Sequence, residues 1–171
     1  EQQDVVPDII TVAKAMGNGH PLGAVITTRA IADSFAAEGS FFSSAGGSPV
    51  SSTVGLTVLD IMRDEKLQQN AATVGDHLAG RLRELGERHP LIGAVHGLGL
   101  YLGVELVRDR ETLEPATREA ALICDRMLAE GCVVQPTGDH KNVLKIKPPL
   151  CITRESADRF VDALDLVLAG L

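Results

Sequence analysis

Apolar residues recur at spacings of three and four through residues 66–89. Leu67, Ala71, Val74, Leu78, Leu82 and Leu85 make one stripe, while Arg81, Arg83, Glu84 and Glu87 fall elsewhere. That period belongs to a helix burying one face, and Pro90 ends it because proline cannot continue the backbone ladder. A second amphipathic helix is predicted from about Arg154 onward, with Phe160, Val161, Leu164, Val167 and Leu168 on its stripe. A third covers 117–130 and is closed by Gly131 at the usual position just past a helix end. Short apolar runs at 9–13, 24–27, 94–99, 101–107, 132–134 and 143–146 read as strands. The run at 9–13 is continuous and β-branched, the pattern of a strand buried on both faces. Residues 94–99 and 101–107 meet at a glycine-rich bend, and 136–140 is turn-rich. Residues 29–38 suit a short helix stopping at Gly39, and 40–48 a polar loop carrying Phe41 and Phe42. Pro49 opens a helix reaching about Met62, where its missing N–H costs nothing. Between Met16 and Gly23, glycine and proline argue against regular structure.

The second half therefore alternates strands and helices as a small α/β module. The first sixty or so residues hold two strands without obvious neighbours, and a two-stranded piece is marginal alone. The chain opens Glu1-Gln2-Gln3 and enters an apolar run within a few residues. Together these features predict the middle of a protein rather than its beginning.

Composition narrows the class. At 171 residues and 44% hydrophobic, the chain has enough apolar surface for a sizeable core, which excludes disorder for the whole. A net charge of -7 argues against a nucleic-acid groove or an anionic membrane surface. No apolar run approaches a bilayer span, and no basic leader precedes an apolar stretch. Cys124, Cys132 and Cys151 have no metal-ligand spacing and read as buried small hydrophobes in a reducing, cytoplasmic setting.

Lys14 is the position hardest to account for by structure alone. It continues an apolar strand and is followed by Ala15 and Met16 rather than by surface residues. Either it snorkels from the strand end to solvent, or it is a desolvated amine, nucleophilic at neutral pH and suited to a Schiff base. The glycines after it would let backbone pass close to a bound molecule. The Ser43-Ser44-Ala45-Gly46-Gly47-Ser48 loop precedes a helix, so its hydroxyls and N–H groups either make an anion site or simply include an N-cap serine. Gly17-x-Gly19-x-x-x-Gly23 and Gly97-x-Gly99-x-x-x-Gly103 each hold one residue too many for a dinucleotide fingerprint. The histidines at 20, 77, 89, 96 and 140 are dispersed, so no metal site is expected. His77 and His89 read as solvated or packed, and His96 as a satisfied core histidine. No nucleophile elbow GxSxG is present. Lys145 and Lys147 alternate onto one strand face, as on a solvated edge strand or toward an anionic substrate group.

The run Pro7-Asp8-Ile9-Ile10-Thr11-Val12-Ala13-Lys14-Ala15-Met16-Gly17-Asn18-Gly19-His20-Pro21-Leu22-Gly23-Ala24-Val25 resembles the lysine signature of class III pyridoxal-phosphate (PLP) aminotransferases. Ser44-Ala45-Gly46-Gly47-Ser48-Pro49 resembles that family's Thr-Phe-Gly-Gly-Asn-Pro loop. Gly97-Leu98-Gly99-Leu100, Gly103-Val104-Glu105 and the stretch 144–150 resemble its C-terminal signatures. The likeness covers the whole chain but only the family's C-terminal part.

The resemblance implies the α/β type I PLP fold, with 1–62 ending the large cofactor domain and 63–171 forming the small C-terminal domain with its long connecting helix. It implies that Lys14 holds PLP as a Schiff base and shuttles a proton. Ser44 is implied to donate to the cofactor phosphate across a homodimer with shared active sites, in place of the usual threonine. Lys145 stands where the family commonly has an arginine that forks onto a substrate carboxylate, which lysine cannot reproduce. The wording of 142–149 and 105–110 is similar to the branch that eliminates phosphate from ethanolamine phosphate or phosphohydroxylysine. The expected activity is amino transfer between an amine or amino acid and a 2-oxo acid, with phosphate elimination as the alternative. A non-catalytic module of the same fold and a nucleotide-binding oxidoreductase are the competing classes, and the retained Lys14 and the glycine spacings weigh against them. The family's remaining cofactor contacts lie upstream of its lysine motif, so the chain alone is expected to be inactive and to need that upstream half.

Overall fold

The computed structural model describes residues 3–39 and 41–171. Glu1 and Gln2, on which the reading of the chain's start partly rests, and Ser40, the first residue of the expected loop, lie outside the described residues. The chain divides into two compact units, Glu1–Glu65 and Lys66–Leu171.

In the first unit, β1 (Ile9–Val12) pairs antiparallel with β2 (Ala24–Thr27), Ile9 opposite Thr27 and Val12 opposite Ala24. The two strands expected to lack neighbours thus take each other. The expectation that the first is buried on both faces is not met: Ile9 is 54% exposed and Ile10 42%. A β-branched run dictates an extended backbone, but burial depends on what packs over it, and within this unit only the glycines Gly17 and Gly55 are buried among the described residues. Residues Lys14–Gly17 form one 3-10 turn, which takes in Met16 and Gly17 of the Met16–Gly23 segment expected to be irregular. Helix α1 (Arg29–Glu38) is capped by Thr28, whose hydroxyl accepts from the Ile31 N–H, and ends at Gly39. Helix α2 (Pro49–Asp64) carries its proline in the first turn, and the Ser48 hydroxyl accepts from the Ser51 N–H at 3.4 Å.

The second unit holds the buried hydrophobic side chains, from Val74 to Leu168. Helix α3 (Leu67–Arg88) buries Val74, Leu78, Leu82 and Leu85, as its period requires. Strands β3 (Ile92–Leu98), β4 (Tyr101–Leu106), β5 (Gln135–Thr137) and β6 (Val143–Ile146) form an antiparallel sheet in the order β3-β4-β6-β5. One sheet face, with Leu102, Val104, Leu106, Leu144 and Ile146, joins α3, α4 (Thr117–Ala129) and α5 (Arg154–Ala169) in a single core. The other face carries Leu98, Tyr101 and Lys147, all exposed. Gly75 of α3 lies so close to the β3–β4 bend that a Cβ there would be 2.3 Å from the Gly99 carbonyl.

Several expectations in this unit need correction. Residues 132–134 are not a strand; the ladder begins three residues later and runs through Pro136, opposite Leu144. A proline is tolerated there because β5 is an edge strand that need not donate on both sides. Lys145 does not lie on an edge, since β6 is held between β4 and β5. Cys151 is exposed rather than buried, while Cys124 and Cys132 are half-buried. His96 is exposed and bonded to Glu105 at 2.7 Å, not a core histidine.

A polar seam joins α3 to α5. His77 and Arg81 meet Asp158, Arg81 also reaches Asp162, and Arg88 and His89 meet Asp165. The hydrogen bond from His77, then the nearby Arg81, holds the Asp158 carboxyl below the usual range. His89 and then Arg88 do the same for Asp165.

Candidate active site

The lysine turn grows directly from β1. Ala13 is fully extended, and Lys14 then turns to φ +56°, a left-handed backbone that side chains with a Cβ rarely adopt. The 3-10 turn that follows closes on Asn18, also left-handed at φ +45°. This double reversal ends the strand at the lysine, so its side chain leaves from a corner rather than from a ladder position. The backbone strain, of order 1–3 kcal/mol for such a residue, persists because neighbours fix the turn.

Those neighbours are on α2. The His20 ring nitrogen bonds the Ser51 hydroxyl at 2.9 Å, and Leu22 packs where a Cβ on Gly55 would stand 2.8 Å from its Cδ2. Gly17 is buried under Leu22, 3.1 Å from its Cβ when given a methyl group. The same helix is entered through the Ser43–Ser48 segment. There the Ser43 hydroxyl accepts from the Gly46 N–H at 3.0 Å and Gly47 takes φ +70°. Ser44 is exposed and, among the described residues, its hydroxyl makes no hydrogen bond within the chain. Lys14 is likewise exposed, with no carboxylate at ion-pair distance among the described residues. Helix α2 thus supports both candidate groups, although no hydrogen bond joins them.

Lys145 belongs to the second unit. It stands opposite Gly103 of β4 on one side and Gln135 of β5 on the other. Lys147, two residues on, is held over the Tyr101 ring at 5.1 Å from its centroid. His20 with Ser51, His96 with Glu105, Tyr101 with Lys147, and Gln135 were not singled out as pairs from the sequence. Alternation alone puts Gln135 on one face only once its partner strand is known.

The model of the family described as aminotransferase class-III matches residues 1–168. The chain belongs to the class III aminotransferase family. It is 50% identical over its whole length to the Arabidopsis thaliana alanine–glyoxylate aminotransferase 2 homolog 2, mitochondrial, of which it spans 36%. It superposes at a TM-score of 0.95 on a phospholyase from Arthrobacter solved in complex with phosphoethanolamine, with 38% identity over 98% of this chain and 40% of that one. An amine transaminase from an uncultivated Pseudomonas species, solved in its PLP-bound form, matches at a TM-score of 0.88 and 35% identity over 97% of this chain and 39% of that one. The chain thus spans between a third and two fifths of the length of these relatives.

Membership of the class III family implies pyridoxal 5'-phosphate, and the donor set of this chain fits both ends of that molecule. An aldehyde calls for a primary amine free of a carboxylate partner, as Lys14 is among the described residues. A phosphate calls for hydroxyl and N–H donors, and the unengaged Ser44 hydroxyl lies on the approach to α2. No group of histidine, cysteine and carboxylate side chains capable of holding a metal occurs among the described residues. No helix there is long and apolar enough to cross a membrane.

Proposed function

We propose that this chain is the C-terminal part of a PLP-dependent enzyme moving an amino group between an amine or amino acid and a 2-oxo acid. Residues 1–62 would end its cofactor domain and residues 63–171 would form its small C-terminal domain. PLP, when bound, supplies an electron sink for negative charge developing at the substrate Cα. Lys14 Nζ would hold the cofactor at its aldehyde carbon and, once displaced by substrate, would carry the proton from the substrate Cα to that cofactor carbon. Ser44 Oγ would donate to the cofactor phosphate, contributed by a second copy of the chain in a homodimer. Lys145 Nζ would meet the anionic group of the substrate. The free thiols suit a reducing compartment such as the cytoplasm.

The observation that carries this reading is the conformation of Lys14. Lys14 is left-handed just past the end of β1, as Lys66 and Lys141 are elsewhere in the chain, and strained residues of this kind are found at functional sites. The exposed Lys14 amine has no ion-pair partner among the described residues, which leaves it accessible as a nucleophilic lysine must be.

A second reading is favoured by Lys145. A lysine in place of the family's common arginine gives up planar recognition of a carboxylate, which suits elimination of phosphate from a phosphorylated amine such as phosphoethanolamine. The test is a product assay on the full-length, PLP-loaded protein, with the half upstream of this chain present. With an amino donor and a 2-oxo acid, the first reading expects a new amino acid and no phosphate. With O-phosphoethanolamine, the second expects stoichiometric phosphate and aldehyde. Neither product with either substrate set contradicts both.

A further inference from the structure

The turn that carries Lys14 is tied to α2 by one apolar contact and one polar contact. The apolar contact is Leu22, which covers Gly17 and would meet a methyl group on Gly55 at 2.8 Å from its Cδ2. The polar contact is His20, whose Nε2 bonds the Ser51 hydroxyl at 2.9 Å. Both partners are half-buried, and no second hydrogen bond joins the turn to α2 among the described residues. Each end of this bond is itself held. The His20 N–H donates to the Gly17 carbonyl at 2.9 Å and the Asn18 N–H to the Ala15 carbonyl at 3.0 Å. The imidazole therefore hangs from the closed end of the Lys14–Gly17 turn. On the other side, the Ser51 N–H donates to Ser48 Oγ in the first turn of α2.

His20 differs in its partner from the other bonded histidines. His77, His89 and His96 each meet a carboxylate, whereas His20 meets a neutral hydroxyl. A serine hydroxyl both donates and accepts, so the bond forms with the ring neutral or charged. It is a tie that does not depend on charge. The turn needs such a tie, because Lys14 and Asn18 both take left-handed backbones, at φ +56° and +45°. Conformations of this kind persist only where the surroundings over-determine them. A single turn cannot do that for itself, and Lys14 is exposed without an ion-pair partner among the described residues. The His20–Ser51 bond reaches across 31 positions of sequence and supplies the constraint from outside.

We infer that His20 is a positioning residue for Lys14, holding the lysine turn against α2 through Ser51 and so fixing where the amine meets the cofactor aldehyde. The inference rests on the reading above in which Lys14 holds PLP. A reacting amine must sit about 3–3.5 Å from its carbon in one orientation. A loosened corner spreads Nζ over many. Leu22 still packs between Gly17 and Gly55 when His20 is changed, so losing the tie loosens the amine without unfolding the unit.

The test uses the protein extended by its upstream half, as the parent, His20→Ala, Ser51→Ala, the double variant and His20→Gln. One net hydrogen bond changes an equilibrium by about two- to tenfold, so each alanine variant should raise the Kd for PLP by that factor. The double variant should match either single one, because both remove the same contact. His20→Gln, whose amide nitrogen can reach the same hydroxyl, should restore the parent's affinity. The pH midpoint of the bound cofactor's yellow absorbance reports the setting of the Lys14 amine. It should move in both alanine variants and return in His20→Gln. Without PLP, amide exchange at Asn18 and His20 should be faster in Ser51→Ala than in the parent. Affinity and absorbance unmoved by both single variants, additive losses in the double variant, or a lower melting temperature as the sole change would each overturn the inference. If borohydride leaves no label on Lys14 of the parent while Ser51→Ala still speeds exchange at Asn18 and His20, the cofactor reading alone fails and the hold of His20 on the turn stands.

Discussion

Gly75→Ala perturbs the second unit at one point whose cost can be worked out. The added methyl carbon would lie 2.3 Å from the Gly99 carbonyl carbon and oxygen and 2.6 Å from its Cα. Carbon contacts are optimal near about 3.5–4 Å, so α3 and the β3–β4 bend must part by about 1 Å. Neither side can swing away, because the clash is with backbone and Gly99 itself sits at φ +56°. Parting them unseats Val74 and Leu78 from the core they share with Leu100 and Leu102. Overpacking costs about 1–3 kcal/mol, and a backbone clash belongs at the upper end. With each kcal/mol shifting Tm by about 4–8 °C in a domain of this size, the melt should fall by about 12 °C or more. Gly80→Ala, on the same helix but with nothing within 4 Å of its new methyl, should instead gain about 0.5–1 kcal/mol from helix propensity and a less free unfolded chain. Thermal melts followed by helical circular dichroism separate the two. A Gly75→Ala melt within about 2 °C of the parent would refute the close approach of α3 to the bend.

Two further outcomes follow from the polar contacts. Asp158 and Asp165 ionise more readily folded than unfolded, so their stabilisation is present above the unfolded carboxyl value of about 4 and is lost as pH falls through the folded one. The double variant Asp158→Asn/Asp165→Asn should therefore have a lower urea midpoint at pH 7 and a shallower loss on going from pH 4 to pH 2; parallel curves would contradict this. Arg110 donates through Nε to the Pro90 carbonyl at 3.1 Å and through one terminal nitrogen to the carbonyls of Gly86, His89 and Ile92, closing the end of α3. Arg110→Ala should cost about 1–2 kcal/mol, discounted for exposure, with faster amide exchange around residues 86–92, and a loss below about 0.5 kcal/mol would count against that role.

The sequence displayed what is encoded locally. Helix α3 announced itself because six apolar residues recur at helical spacing, and Pro49, Gly39 and Gly131 marked boundaries through backbone chemistry that context cannot override. Class III membership was legible in the 7–25 run only as a resemblance to that family's lysine signature; the residue pattern alone left Lys14 open between a snorkelling and a nucleophilic amine. Pairing and burial were not legible in the same way. Residues 132–134 look more strand-like than Gln135–Thr137, yet β6 takes the latter because its register places Pro136 on an outer edge. His96 looked like a core residue until its cross-strand neighbour Glu105 was known, and nothing in one strand's composition reveals the strand beside it. The α3–α5 ion pairs had a signal: Asp158, Asp162 and Asp165 share a helical stripe, as do His77, Arg81 and Arg88. It becomes meaningful only once the two helices are known to pack.

The central claim is that Lys14, and no other lysine, is the residue that holds the cofactor. Equilibrating the protein, extended by its upstream half, with PLP, reducing with borohydride and mapping the modified peptide tests it most directly. The account predicts a pyridoxyl group on Lys14, lost in Lys14→Arg without any gain at Lys145 or Lys147. A label absent from Lys14, or spread over the lysines according to exposure, would contradict it.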